Sequence, residues 1–225
     1  MYRADISLAS PPIAAGAVHV REGRSGLLEF AVLGLLHESP MHGYELRKKL
    51  TMLLGPFRAA ISYGSLYPTL RRLEDGGWIT EHGPCATDEA PRLTGRRGKV
   101  VYELTADGKE RFAELLADVR PETYDDEGFG VHFAFFGRTD AATRLRILEG
   151  RRRRVEERRE GLRETLARTA ERFDAYTLEL QRHGLESVDR EVRWLEELIA
   201  HEKAGRPPTV TTPKKGGAEE RDLPE

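Results

Sequence analysis

The sequence predicts a mainly α-helical chain with one small two-stranded β ribbon in its first half and long helices in its second. Three patterns carry that expectation. Apolar residues recur at helical spacing in three successive runs between residues 26 and 75, each bounded by glycine or proline. Two short runs of alternating character follow, and in the second half Leu148, Val155 and Leu162 recur every seven residues, with Thr169 and Tyr176 continuing the register.

The first helix is "GLLEFAVLGLLHESP", where Leu27, Phe30, Leu33, Leu36 and their neighbours surround the axis nearly completely. Such a helix is mostly buried, and it stops before Pro40. A tight turn with Ser39, Pro40 and Gly43 leads into "MHGYELRKKLTMLLG", whose stripe is Tyr44, Leu46, Leu50, Leu53 and Leu54, closed by Gly55-Pro56. The third helix lies in "ISYGSLYPTLRRLEDGGWIT", with Ser62 as candidate N-cap, Leu66, Leu70 and Leu73 as the buried stripe and Gly76-Gly77 as the stop. Pro68 interrupts it. A start at Ser62 implies a kink costing about 3 kcal/mol, whereas a start at Gly64 or Ser65 puts the proline in the first turn, where its missing N–H is cheap. "WITEH" and "KVVYELT" are two strands around the hairpin tip "GPCATDEAPRLTGRRG", and "TADGKERFAELLADV" is a fourth helix starting at Thr105 or Ala106, with Phe112, Leu115, Leu116 and Val119 on one face.

Three helices, a two-stranded ribbon and a closing helix make a winged helix-turn-helix, predicted over residues 26–120. Residues 121–204 make a C-terminal helical, coiled-coil-like dimerisation domain. There the heptad residues, flanked by Leu145, Leu166 and Phe173, and a later face of Val188, Val192, Leu195 and Ile199 want partners. A second copy of the chain is the simplest source, so Leu145, Leu148, Val155, Leu162, Val188, Val192, Trp194, Leu195 and Ile199 are the predicted dimerisation residues. A monomeric antiparallel hairpin folded back on the N-terminal domain is the alternative. Residues 1–25 are expected to be a disordered extension, a reading favoured over a minor-groove arm using Arg21 and Arg24, and residues 205–225 a disordered tail of proline, glycine and charge.

Composition excludes several classes. The single cysteine, Cys85, rules out an intrachain disulfide framework and fits a reducing cytoplasm. The seven histidines do not cluster at ligand spacing, and no enzyme signature appears, so no metal, cofactor or catalytic residue is predicted. No run of 18 apolar residues occurs, which predicts no membrane span and a cytoplasmic protein. The net charge of −2 conceals an uneven distribution. From Leu46 to Leu73 there are six basic residues (Arg47, Lys48, Lys49, Arg58, Arg71, Arg72) and no acid; from Ala90 to Tyr102 there are four more (Arg92, Arg96, Arg97, Lys99) and again none. Two acid-free basic segments are what a phosphate-facing surface requires if the fold brings them to one side. "RRRRVEERRE", by contrast, alternates with glutamate at helical spacing and reads as a solvated, ion-paired face.

Three blocks, "LEFAVLGLLHESPMHGYELRKKL", "GSLYPTLRRLEDGGWI" and "GRRGKVVYELTADGKERF", together resemble the PadR family of transcriptional regulators, and "VHFAFFGRTDAATRLRILE" with "GLESVDREVRWLEELIAHEKA" looks like the larger C-terminal dimerisation domain of one branch. The resemblance implies a DNA-binding, ligand-responsive repressor acting as a homodimer. A winged helix that binds protein and no DNA is the competing reading, and the basic segments argue against it. The candidate DNA contacts are Tyr44 of the second helix, Ser62, Tyr63, Ser65, Tyr67, Pro68, Thr69, Arg71 and Arg72 of the third, and Arg96, Arg97 and Lys99 of the wing. Phe129, Phe133 and Phe136, joining the two domains, read as ordinary core or, with Trp194, as an effector pocket; regulators of this type respond to small aromatic or drug-like compounds.

Overall fold

The structure, a computed structural model, describes residues 14–53, 63–82, 100–169 and 172–206. Helix α1 (Ala14–Glu38) is the axis of the N-terminal domain. Leu28, Phe30, Ala31, Val32, Leu33, Leu35 and Leu36 are all buried, as an apolar run on every side of a helix requires. The helix begins at Ala14, well before the expected boundary near residue 26. Pro12 is the last proline before it, and the intervening Ala14-Ala15-Gly16-Ala17 run contains nothing that breaks a helix outright.

Ser39-Pro40 ends α1, and a short strand that the sequence reading missed follows. This strand, β1 (Met41–His42), pairs antiparallel with β3 (Val101–Leu104), Met41 opposite Tyr102, and β3 pairs on its other side with β2 (Ile79–His82), Ile79 opposite Leu104. The ribbon is thus three-stranded, in the order β1-β3-β2. The His42 backbone N–H donates to the Glu45 carboxylate at 2.9 Å, which satisfies one of the orphan donors at the start of α2 (Gly43–Leu53). Between α2 and β2, α3 (Leu66–Asp75) buries Leu66, Leu70 and Leu73, the predicted stripe. Its end is a Schellman motif: Trp78 N–H donates to the Leu73 carbonyl, Gly77 N–H to that of Glu74, both at 2.9 Å, and Gly77 takes φ +73°. Thr105 caps α4 (Ala106–Ala117) by accepting from Gly108 N–H at 3.0 Å, and Phe112 buries against α1. Val119, expected on the α4 face, lies beyond the helix and packs on the second core instead.

A 3-10 turn at Pro121–Tyr124 leads to the short α5 (Asp126–Ala134), and then to two long helices, α6 (Ala141–Thr169) and α7 (Ala175–Lys203), started by Asp174 accepting from Tyr176 and Thr177 N–H. The two run antiparallel against each other, cross-linked by Arg144–Glu202, Lys203–Glu149, Arg151–Glu191 and Arg163–Asp189. This corrects the predicted dimer seam. Leu148, Val155, Val188, Val192, Leu195 and Ile199 are each no more than 7% exposed, packed within one chain in a core of their own. Heptad spacing reports that a helix has a partner, and here the partner is the neighbouring helix of the same hairpin. Leu145 and Leu162 remain half-buried, and Trp194 is 39% exposed. Among the described residues no helix is long and apolar enough to cross a membrane.

Candidate nucleic-acid interface

The turn before α3 decides what its first residues can do. Tyr63–Ser65 form a 3-10 turn, and α3 proper begins at Leu66, so Pro68 is its third residue. Its missing N–H belongs to the group that has no intrahelical acceptor in any helix, and the kink alternative disappears. Ser65, the N-cap, has helical angles (φ −89°, ψ −15°) and makes no side-chain capping hydrogen bond. Its hydroxyl is therefore exposed and not spent on the helix end.

With Leu66, Leu70 and Leu73 turned inward, the outward face of α3 presents Tyr67, Pro68, Arg71 and Arg72, and α2 adds Tyr44, Arg47 and Lys48. Tyr44 and Tyr67 are 73% and 58% exposed. Lys48 and Arg71, each four residues further along the same helix as Tyr44 and Tyr67, are exposed as well. Tyr67 and Tyr102 both border Gly43: a Cβ there would lie at ordinary contact distance, 3.5 Å from the Tyr67 ring and 3.6 Å from Tyr102. Tyr102 is itself fixed beneath the ribbon, where burial, then a hydrogen bond to Glu81, pushes its phenol up to about 12. It stays neutral in any working buffer and belongs to the first core.

Thr69 departs from expectation. It is 2% exposed and cannot touch a partner; helical spacing places it beside Leu66, Leu70 and Leu73, not opposite them. Its hydroxyl instead accepts from Arg72 Nη2 at 3.2 Å, fixing a guanidinium that does reach the surface. Acidic groups gather at the other end of the helix. Burial, then the neighbouring Glu81 and Asp75, hold the Glu74 carboxyl above its ordinary range. Anions so placed leave the first turn of α3 as its electropositive end. Ser62, Arg96, Arg97 and Lys99 lie outside the described residues, as does the Tyr63 side chain. Arg47 and Lys48 of α2 were visible in the sequence as part of the basic segment and were not singled out as contacts.

The aromatic residues between the domains do assemble. Phe133 lies 5.5 Å from Phe129, 4.9 Å from Phe136 and 5.3 Å from Trp194, ring centre to ring centre. Phe129 is 1% exposed and is core. A hollow of about 600 Å³ opens on a different face of α5, lined by Glu29, Phe30, Arg111, Leu115, Thr123 and His132 among others. His132 lies against Phe30 with ring centres 4.7 Å apart and planes tilted by 51°, and burial lowers its imidazole to about 4.

Residues 32–114 match the model of the Transcriptional regulator PadR-like family. The Negative transcriptional regulator PadR of Bacillus subtilis (strain 168) is 33% identical over 103 residues, which are 45% of this chain and 52% of that protein, so the chain spans about half the length of its curated relative. Among solved structures, Bacillus subtilis PadR in complex with operator DNA aligns with 78% of this chain and 98% of its own at 22% identity (TM-score 0.37). The protein smu.1604c of Streptococcus mutans UA159 aligns with 76% and 98% at 28% identity (TM-score 0.36). Bacillus subtilis PadR with p-coumaric acid aligns with 79% and 99% at 23% identity (TM-score 0.35). The sequence blocks that first suggested the family fall largely within the matched segment, and the chain carries a PadR-like transcriptional regulator domain over residues 32–114.

Proposed function

We propose that the protein is a cytoplasmic, sequence-specific DNA-binding repressor that acts as a homodimer, with a reading domain over residues 26–120 and a helical domain over 121–204, and with no catalytic activity. One observation carries the reading: α2 and α3 present Tyr44, Lys48, Tyr67, Arg71 and Arg72 together on an exposed face that contains no acid from Leu46 to Leu73. Phosphates bind such a face through its cations, and base edges in the major groove are within reach of the first turn of α3. The family match supports the same class.

Dimerisation, in this proposal, uses the surface that the hairpin leaves open rather than its own core. Tyr176 and Leu180, 90% and 67% exposed, with half-buried Leu166, Phe173 and Leu178, form an apolar stretch at the end of the hairpin beyond Leu162, the last α6 leucine packed on the core that holds Phe129. A small aromatic effector at Phe133, Phe136 and Trp194, or in the hollow beside His132, completes the reading.

The test is a gel shift with the DNA upstream of the protein's own reading frame and a scrambled duplex of equal composition, across a salt series. Tighter binding to the upstream duplex, weakening linearly with log salt, is expected. Equal binding to both duplexes overturns sequence reading, and binding to neither overturns the function. Sedimentation equilibrium of the full chain and of Leu180→Glu tests the dimer.

A further inference from the structure

Helix α5 is nine residues long and apolar on most sides, and it belongs to both cores at once. Phe129 and Phe133, one turn apart, pack on the hairpin with Trp194; Val131, on another face, and Phe135, the residue that caps the helix at its C-terminal end, pack in the core built around α1. The second contact is unusually close. Phe135 is 3% exposed, with Phe30 and Phe112 at 5.3 and 5.5 Å, and its ring lies over Gly34 of α1 so tightly that a Cβ there would stand 2.3 Å from its Cζ. No side chain other than hydrogen fits at residue 34 while the ring is seated. A glycine in the middle of a buried helix weakens that helix, and the slot gives the weakness a use.

We propose that Phe135 in the Gly34 slot is the joint that makes the two domains one cooperative unit. With that ring seated on one face and Phe129 and Phe133 clamped on the other, α5 cannot shift on the hairpin without moving α1. The inference concerns the chain's mechanics and stands whatever either domain binds.

The two tryptophans make it testable, since Trp78 packs on the first core and Trp194 on the second. Urea unfolding of the full chain, followed by fluorescence in Trp194→Phe and separately in Trp78→Phe, reports each core alone. With the joint intact the two midpoints coincide. Introducing Phe135→Leu, or Gly34→Ala, separates them, the Trp78 midpoint falling below that of Trp194. Gly34→Ala is the sharper variant because it raises helix propensity and, without a seated ring, would raise the midpoint. Arg146→Ala removes a second link between the domains, the bond from Nη2 to the Ala117 carbonyl at 3.3 Å, and leaves the midpoints together. Midpoints already apart in the unaltered joint overturn the proposal. So do midpoints that stay together in both joint variants, a rise of the Trp78 midpoint in Gly34→Ala, or equal separation in Arg146→Ala.

Discussion

On α3, Arg71 and Arg72 are exposed and meet no carboxylate among the described residues, whereas on α6 Arg144, Arg151, Arg154, Arg158 and Arg163 each lie within 3.2 Å of at least one. The residue type is the same and the supply of acid is not. The helix-turn-helix segment contains none over Leu46 to Leu73, while the hairpin interleaves glutamate along α6 and brings Asp125, Asp126, Asp189, Glu191 and Glu202 to it. Cations left without partners on a folded surface keep their field for a ligand; cations paired within the chain hold elements together. The burial of Arg151, 2% exposed and bonded also to the Tyr124 carbonyl at 2.9 Å, is the extreme of the second use.

The largest expected effect breaks that structural use. Arg151→Ala leaves Glu191 and the Tyr124 carbonyl short of a buried partner and should destabilise the chain by about 3–5 kcal/mol. Arg154→Ala, at a pair more than half exposed, should cost about 0–1 kcal/mol. Urea unfolding followed by circular dichroism measures both, and equal costs would erase the distinction drawn between buried and solvated arginines. Asp126, which faces Arg151 and Arg158, is pushed up by its own burial but drawn further down by hydrogen bonds from those two guanidinium groups, so its pairs persist into mild acid.

The border between the regions is tested by pH. Burial depresses His132 to about 4 from an unfolded value of 6.5, so the folded state takes up its proton later than the unfolded state does. Stability from this residue is fully present above pH 6.5 and is lost as pH falls toward 4, by up to about 3 kcal/mol at 1.36 kcal/mol per unit. His132→Phe should flatten that part of the stability profile between pH 6.5 and 4. A variant whose profile overlays that of the parent would show that the imidazole is not held neutral by the fold.

Smaller effects belong to Arg71 and Arg72, which meet no carboxylate among the described residues. Under the proposed function, Arg71→Ala and Arg72→Ala should each lower operator affinity by roughly 1–3 kcal/mol while changing stability by less than about 0.5 kcal/mol. Arg154→Ala should leave affinity unchanged. Fluorescence anisotropy at one fixed salt concentration separates these cases, and loss of affinity in Arg154→Ala equal to that in Arg71→Ala would remove the contrast between the helices.

How far the sequence reached follows from what periodicity encodes. Leu66, Leu70 and Leu73 announce an inward face by spacing alone, and Gly76-Gly77 announces the stop, so α3 was legible. Strand β1 was not, because two residues carry no alternation and Met41 and His42 become a strand only by lying beside Val101 and Tyr102. The α6–α7 seam was legible as a seam and misread as to partner, since Val155 and Val192 look the same whether a second chain or the same chain covers them. Arg151 was hidden among four consecutive arginines, of which geometry buries one. Phe135 was passed over beside Phe129, Phe133 and Phe136, because nothing in an aromatic run tells which ring turns toward α1.

Thr69 supplies the finest test of the comparison, for it shows an arginine on α3 being positioned without being neutralised. Its hydroxyl accepts from Arg72 at 3.2 Å yet carries no charge, so the guanidinium is oriented and its field survives. An acid at this place would orient Arg72 equally well and cancel it. Thr69→Val keeps the buried shape and removes the acceptor. The freed N–H of Arg72 turns to water, so folding should change by less than about 1 kcal/mol, and operator affinity should fall by about 0.5–1 kcal/mol as the side chain loses its preferred geometry. Thr69→Ser, which restores an acceptor in a smaller side chain, should recover most of that affinity. The measurement is operator binding and thermal unfolding of the three proteins in parallel. If Thr69→Val binds like the parent, or if Thr69→Ser fails to recover what Thr69→Val loses, the hydroxyl does not position Arg72 and the residue serves only to pack the helix.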